Sequence, residues 1–321
     1  MSSKQSKEKF KSKIGGQAVI EGVMMKGLDR SAMACRLPNG EIDLEKWENK
    51  HGKNPPWYRK APFVRGIFNF ISSMIDGYKC LMRSADKQMD DSDDEEEETK
   101  FEKWLDEKFG EKLMPVISGI SMILGVGMAL LLFMWLPSAI SKLIDTYIVV
   151  MPSFVKNIIE GLLKIAIFVG YTALTALMKD MKRMYEYHGA EHKTIACYEH
   201  EEELIPENVR KFTRFHPRCG TSFIFLVLFI SIFVNTVFQV PWDNIFVRVI
   251  IKIALLPVVT GIAYEFIRLA GKYDNIFTKI FSAPGLWIQR ITTREPDDSQ
   301  IECAIAALKA CIPENKEDDR W

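Results

Sequence analysis

Residues 114–136 contain no charged side chain. A helix of that length crosses about 30 Å of hydrocarbon. In lipid a backbone can satisfy its own polar groups only as a helix or a closed barrel. This one run therefore removes most soluble folds from consideration. A second uncharged run covers 221–240, and two weaker ones cover 154–178 and 245–267. Lys156, Glu160 and Lys164 interrupt the former; Arg248, Lys252, Pro257 and Glu265 interrupt the latter. The expectation is a mainly α membrane protein with about four transmembrane helices, a small N-terminal β unit, and cytoplasmic or interfacial helices.

The loops orient these spans. Lys179, Lys182, Arg183, Lys193, Arg210, Lys211, Arg214 and Arg218 all fall in the connection between the second and third. The connection 137–153 carries only Lys142, and 240–244 carries no lysine or arginine. The positive-inside rule then places the 179–220 connection in the cytoplasm and, with four spans, both termini there too. The basic N-terminus lacks the apolar core of a cleaved signal peptide. Formal net charge is zero, so nothing points to nucleic acid as a partner. Six cysteines without pairing-type spacing are expected to stay reduced.

Around the spans the chain reads in blocks. Residues 1–13 form a basic, disordered tail, and 14–60 a small β-rich unit. Within it 17–25 reads as one apolar strand, and Pro38-Asn39-Gly40 as a hairpin turn between 32–37 and 41–47. In the last strand Ile42, Leu44 and Trp47 are expected on one face. Residues 61–89 keep the 3–4 spacing of an amphipathic helix, lying on the membrane or on the β unit. Residues 90–100 are an acidic linker, and 101–270 hold the transmembrane domain with its cytoplasmic His/Cys loop at 179–220. Residues 271–321 read as an interfacial helix broken at Pro284-Gly285, then a last helix with capping-box spacing at Ser299 and Glu302. Glu160 and Lys164, and Arg248 and Lys252, are expected to snorkel from the ends of their spans. A cross-helix pair of Glu160 with Arg248 is the alternative.

Three of the five histidines and one cysteine lie in two short clusters, His188-Gly-Ala-Glu191-His192 and His216-Pro-Arg-Cys219-Gly220. At about 100° per residue His188 and His192 share one helix face with Glu191 beside them. Two imidazoles one turn apart can hold a divalent cation, and an adjacent carboxylate can activate its water. His216 and Cys219 offer a second ligand pair in a tight turn. The candidate metal ligands are thus His188, His192, His216 and Cys219, with Glu265 as a further ligand from the fourth span. Glu191 is the candidate catalytic base, and zinc the expected metal. Glu21, a carboxylate in an apolar strand, and Arg218 are further site candidates.

Several segments carry a family resemblance. They are Gly15-Gly-Gln-Ala-Val-Ile-Glu-Gly-Val-Met-Met-Lys-Gly27, His188-Gly-Ala-Glu-His-Lys193, Arg214-Phe-His-Pro-Arg-Cys-Gly-Thr-Ser-Phe223, and Asp297-Asp-Ser-Gln-Ile-Glu302 with 304–309. From about residue 14 to 312 the chain resembles the YqhQ-like family of bacterial multi-pass membrane proteins. The resemblance implies a bacterial inner-membrane protein and no known activity, substrate or cofactor. Three functions compete. The metal site organises a surface for membrane lipids or a protein partner; or Glu191 serves a metal-dependent hydrolase, since His-x2-Glu-His also fits an inverted zinc-hydrolase motif; or Lys164, Arg248, Lys252 and Glu265 belong to a transporter or channel, which with four spans points to a homo-oligomer.

Overall fold

The computed structural model describes residues 10–50, 52, 55–88, 113–273 and 275–320. The tail through Lys9 and the acidic run 90–98 lie outside them. The chain divides into two compact units. One comprises Met1–Gln88, Tyr171–Ile230 and Pro257–Trp321; the other comprises Met89–Gly170 and Ser231–Leu256.

The first unit is built on a four-stranded antiparallel sheet in the order β1 (Gly15–Val19), β2 (Gly22–Lys26), β3 (Arg30–Arg36), β4 (Ile42–Glu48). Residues 17–25 are therefore two strands and not the single one expected. Val19 pairs with Gly22 across a two-residue turn, Ile20-Glu21. Glu21 takes a positive φ of 49°, and the next residue has no room for a Cβ, which would lie 2.3 Å from the Ala34 carbonyl. Glycine at 22 lets β3 approach where another residue would hold it off.

Alternation along the strands sends side chains to two faces. Val23, Met25, Ala32, Ala34, Ile42 and Leu44 join one core cluster, while Val19, Met24, Met33 and Cys35 join the other with Trp47 packed against it. Trp47 thus faces away from Ile42 and Leu44, contrary to expectation, because an odd spacing reverses the pleat.

α1 (Val64–Asp86) lies on the second face, where its Cys80 joins the cluster. Lys26 pairs with Asp76 at 2.6 Å and Ile20 N–H donates to Ser84 Oγ at 3.1 Å. The first face is covered by two helices whose labels follow below.

The apolar runs form α2 (Leu113–Leu130), continued by a π-helical turn (Leu131–Trp135) into α3 (Leu136–Tyr147); α4 (Ser153–Thr175); α7 (Gly220–Val237); and α8 (Ile245–Lys272). Gly119–Tyr147, Ser153–Thr175, Gly220–Val237 and Ile245–Lys272 are long and apolar enough to cross a membrane. Between and after them come α5 (Lys179–Glu199), α6 (Pro206–Val209), α9 (Ile276–Thr292) and α10 (Asp298–Cys311). α10 packs on β2, β3 and α5, and α5 packs on β1. Their core includes Tyr187, Ile195, Ile301, Ala304 and Leu308.

Three local expectations are revised. α9 runs unbroken through Pro284-Gly285. The capping box of α10 is Asp297 with Gln300, and not Ser299 with Glu302. The charges within the spans of the second unit do not snorkel. Arg248 is fully buried; it donates to Glu160 Oε2 at 2.6 Å, Asn157 Oδ1 at 2.7 Å and the Val240 carbonyl at 2.5 Å. Lys252 binds Glu160 and Ser138 Oγ, and Lys164 lies 2.9 Å from the same carboxylate. A neighbouring carboxylate satisfies these cations better than a long reach to water.

Candidate metal centre

Helix α5 carries His188, Glu191 and His192 at i, i+3 and i+4, so their side chains project from one face. This face is turned inward. Glu191 and His192 are buried, and the His188 side chain is 15% exposed. Gly189 makes the arrangement feasible. A Cβ there would stand 2.0 Å from the Arg294 carbonyl oxygen, so only glycine admits the strand-like segment that crosses α5. That crossing is fixed by Arg294 N–H donating to the Tyr185 carbonyl at 2.8 Å.

The crossing delivers the Thr292 carbonyl to His188 Nδ1 at 2.9 Å. The Arg214 carbonyl meets His192 Nδ1 at 2.6 Å. A carbonyl oxygen only accepts, so both Nδ1 atoms carry a hydrogen, and Nε2 is left on each ring as the atom that can bind a metal. His188 Nε2 lies 3.2 Å from Cys219 Sγ. The ligand atoms of His188, His192 and Cys219 all lie within 4.8 Å of one another. Tetrahedral zinc bound to imidazole and thiolate separates its ligand atoms by ~3.3–3.7 Å, given bonds of about 2.0–2.3 Å. Small side-chain movements would bring the three to that spacing.

Cys219 immediately precedes α7, at the positive end of a long helix. The turn that holds it is tied to α9. Gln289 Oε1 accepts from His216 N–H, while Gln289 Nε2 donates to the His216 carbonyl and to Ser222 Oγ, at 2.8, 2.8 and 2.9 Å.

Glu191 sits at the edge of this group. Its Oε1 accepts from Gly16 N–H at 3.1 Å. Its Oε2 is buried without a hydrogen-bond partner among the described residues, 3.9 Å from His188 Nε2. Gly16 is needed for this approach, since a Cβ would lie 2.6 Å from the Met24 carbonyl and 3.1 Å from Glu191 Cγ.

The electrostatics follow from burial and proximity. Burial works against charge on Cys219, but His188 and His192 outweigh it and draw the thiol well below its ordinary range. Burial likewise opposes charge on His188, yet the facing sulfur pushes the ring up to about 9. Burial raises the Glu191 carboxyl, partly offset by the two imidazoles. Burial, with Arg218 nearby, lowers His216. The result, without a metal, is a thiolate facing the His188 imidazolium, with the oriented His192 ring and an incompletely bonded carboxylate at hand.

The remaining candidates are placed differently. The His216 ring stands beside His192, 5.5 Å between centroids, with its Nε2 3.3 Å from an Arg218 nitrogen. It is outside the three-residue group. Arg218 binds Glu199 and the Ser12 carbonyl. Glu265 is not brought to the cluster; both its oxygens bind Arg65, and one accepts from Phe63 N–H at 3.1 Å. Glu21 binds Arg183 and accepts from the Tyr187 hydroxyl at 3.2 Å. Sequence reasoning missed the carbonyls of Thr292 and Arg214, because every residue has a carbonyl. The donor at Gly16 had a faint signal in the paired glycines at 15 and 16.

Among known proteins, the family described as "Protein of unknown function (DUF1385)" matches residues 61–314. The uncharacterized protein YqhQ of Bacillus subtilis (strain 168) is 36% identical over 315 residues, which cover 96% of this chain and 94% of that relative. No solved structure matches the chain. Four helices fit to span a membrane, a small antiparallel sheet and a match over most of its length make this chain a member of the DUF1385 family, of YqhQ-like proteins.

Proposed function

We propose that this membrane protein carries a zinc-type centre, with His188 Nε2, His192 Nε2 and Cys219 Sγ as ligands and Glu191 at the fourth position. The centre organises a surface that engages lipid or a protein partner. The observation behind this reading is the pair of carbonyls on the two Nδ1 atoms. Metal-binding histidines commonly donate their second nitrogen in this way, which fixes the tautomer and aims the lone pair. A histidine merely buried in a core needs no such aim toward a shared point. Bound there, zinc would join α5 to the start of α7, two parts of the chain separated by α6.

Elemental analysis of freshly purified protein tests this. Wild type should carry about one zinc per chain and His188→Ala should carry essentially none. A metal-free wild type would leave only a thiolate–imidazolium pair and overturn the reading.

The unpartnered Glu191 Oε2 supports a second reading. If the carboxylate stays off the metal, a water takes the fourth position and Glu191 is its base in a hydrolytic reaction. Glu191→Gln separates the two. An intact cellular function with metal retained removes the hydrolase.

We infer a bacterial inner-membrane setting with both termini and the centre on the cytoplasmic side. The crowding of lysine and arginine between α4 and α7 supports it. Val150, which is 88% exposed between α3 and α4, is then external. A Val150→Cys variant in intact spheroplasts should react with a membrane-impermeant maleimide; protection until lysis would reverse the topology.

A further inference from the structure

A cleft of about 560 Å³ lies where the end of α4, the first turn of α5 and the segment after α9 come together. Its lining combines two chemistries. Ala173, Ala176 and Leu177 are apolar, and Leu177 is 79% exposed. Lys182, Arg214, Arg290 and Arg294 are cationic, with the carboxylates Glu186 and Glu295 among them. Those carboxylates are already engaged. Glu295 pairs with Lys193 and Arg214, and Glu186 accepts from Gln300.

The cationic groups therefore have capacity left over. Lys182 and Arg290 are exposed and make no ion pair among the described residues. Arg214 Nε and Arg294 Nε are buried with no hydrogen-bond partner among them. A buried donor without an acceptor is costly. Guanidinium groups suit the oxygens of a phosphate. Beside them α4 is one of the helices fit to cross a membrane, and a helix that just spans the hydrocarbon ends near the headgroups.

We propose that this cleft binds the phosphate headgroup of an anionic membrane lipid. An acyl chain lies along Ala173, Ala176 and Leu177, and the phosphate oxygens are taken up by Arg214, Arg290, Arg294 and Lys182. This deepens the reading of a lipid-engaging surface and rests on it only for the membrane setting. The wall of the cleft is also the wall of the histidine site. Arg214 lines the cleft with its side chain and orients His192 with its carbonyl. Thr293 lines it too, next to the carbonyl that orients His188. Lipid occupancy thus acts on one of the residues that aim the imidazoles and on the neighbour of the other.

Native mass spectrometry of the full chain in neutral detergent, titrated with phosphatidylglycerol or phosphatidylcholine, tests the site. Phosphatidylglycerol should bind at least about tenfold more tightly. A Lys182→Gln/Arg290→Gln double variant alters only exposed cations and should keep its thermal unfolding. It should lose about ten- to thirtyfold in phosphatidylglycerol affinity, from ~1 kcal/mol per basic residue near an anionic headgroup, with phosphatidylcholine unchanged. Equal affinity for the two lipids, or an unaffected double variant, overturns the proposal. So does full displacement by equimolar inorganic phosphate, which marks a free-anion site. Metal content is read separately by elemental analysis, so either idea can fail alone.

Discussion

Each compact unit buries a cluster of ionisable groups within or beside its long helices, and the two are finished in different ways. Around Glu160, Arg248 donates to carboxylate, amide and carbonyl, and Lys252 to carboxylate and hydroxyl. Charge meets opposite charge inside apolar helices. Around Cys219, backbone carbonyls occupy one side of each imidazole and leave the other side to face sulfur, while a carboxylate oxygen has no hydrogen-bond partner among the described residues. In the first cluster three cations share one carboxylate, and a carbonyl, an amide and a hydroxyl take further donors of Arg248 and Lys252. The second is held in a receptive state by groups that only orient it. Buried polar atoms cost free energy when left unpaired; among the described residues Glu191 Oε2 is such an atom, and no side-chain atom of Glu160, Arg248 or Lys252 is.

The sharpest way to break this contrast is at Glu160. Glu160→Gln leaves three buried cations without their carboxylate. It should cost about 3–5 kcal/mol, as loss of one partner from a buried ion pair does, read as a fall in thermal stability of the purified protein. Added zinc should not restore it.

Gly189→Ala attacks the other cluster through its support. The new methyl meets the Arg294 carbonyl, so the Thr292 carbonyl is pushed from His188. Zinc affinity should fall ~10–100-fold, the usual effect of losing an outer partner of a ligand, measured by competition with a chelating dye. Loss of fold in place of loss of affinity would show the crossing to be purely structural.

Acidity gives a third comparison. In metal-free protein the raised His188 contributes stability below its ordinary value of 6.5 and loses it as pH rises through about 9. The lowered Cys219 contributes stability above its ordinary value of 9.0 and loses it as pH falls through its folded value. Between pH 6.5 and 9 the two dependences oppose, and stability should be nearly flat. Zinc held as proposed above would displace the His188 proton, and the loaded protein should then gain up to ~1.4 kcal/mol per pH unit over that window. Chemical denaturation of the wild type across that window, without and then with zinc, checks both slopes. The smallest effect is expected away from both clusters. Asp297→Ala removes the cap of α10 and should cost about 1 kcal/mol.

The spans and the His188–His192 face were legible because they depend on length and on a short period along one helix. What escaped was set by partners far along the chain. Glu265 lay at a plausible level for a ligand, but Arg65, two hundred residues away, takes it. Glu160 and Arg248 announced themselves as charges in apolar runs; that they meet depends on how α4 and α8 pack. The break at Ile20-Glu21 turns on the contact of Gly22 with Ala34, invisible to alternation alone. Asp297 caps α10 in place of Ser299 because its backbone is extended where the helix begins.

The stitching of the chain's two ends has a consequence for how the protein is made. Ser12 Oγ donates to Asp319 Oδ2 at 2.6 Å, and Lys13 N–H donates to the Asp319 carbonyl at 2.8 Å. Thr292 and the helix that covers the sheet also come from the last stretch. A ribosome adding roughly 5–20 residues per second therefore leaves the His188–His192 pair waiting on the order of ten seconds for its supporting carbonyl. During that interval the nascent chain holds the two histidines without the group that orients His188. If the centre proposed above binds a metal, the timing of translation, as much as affinity, would decide which one arrives first.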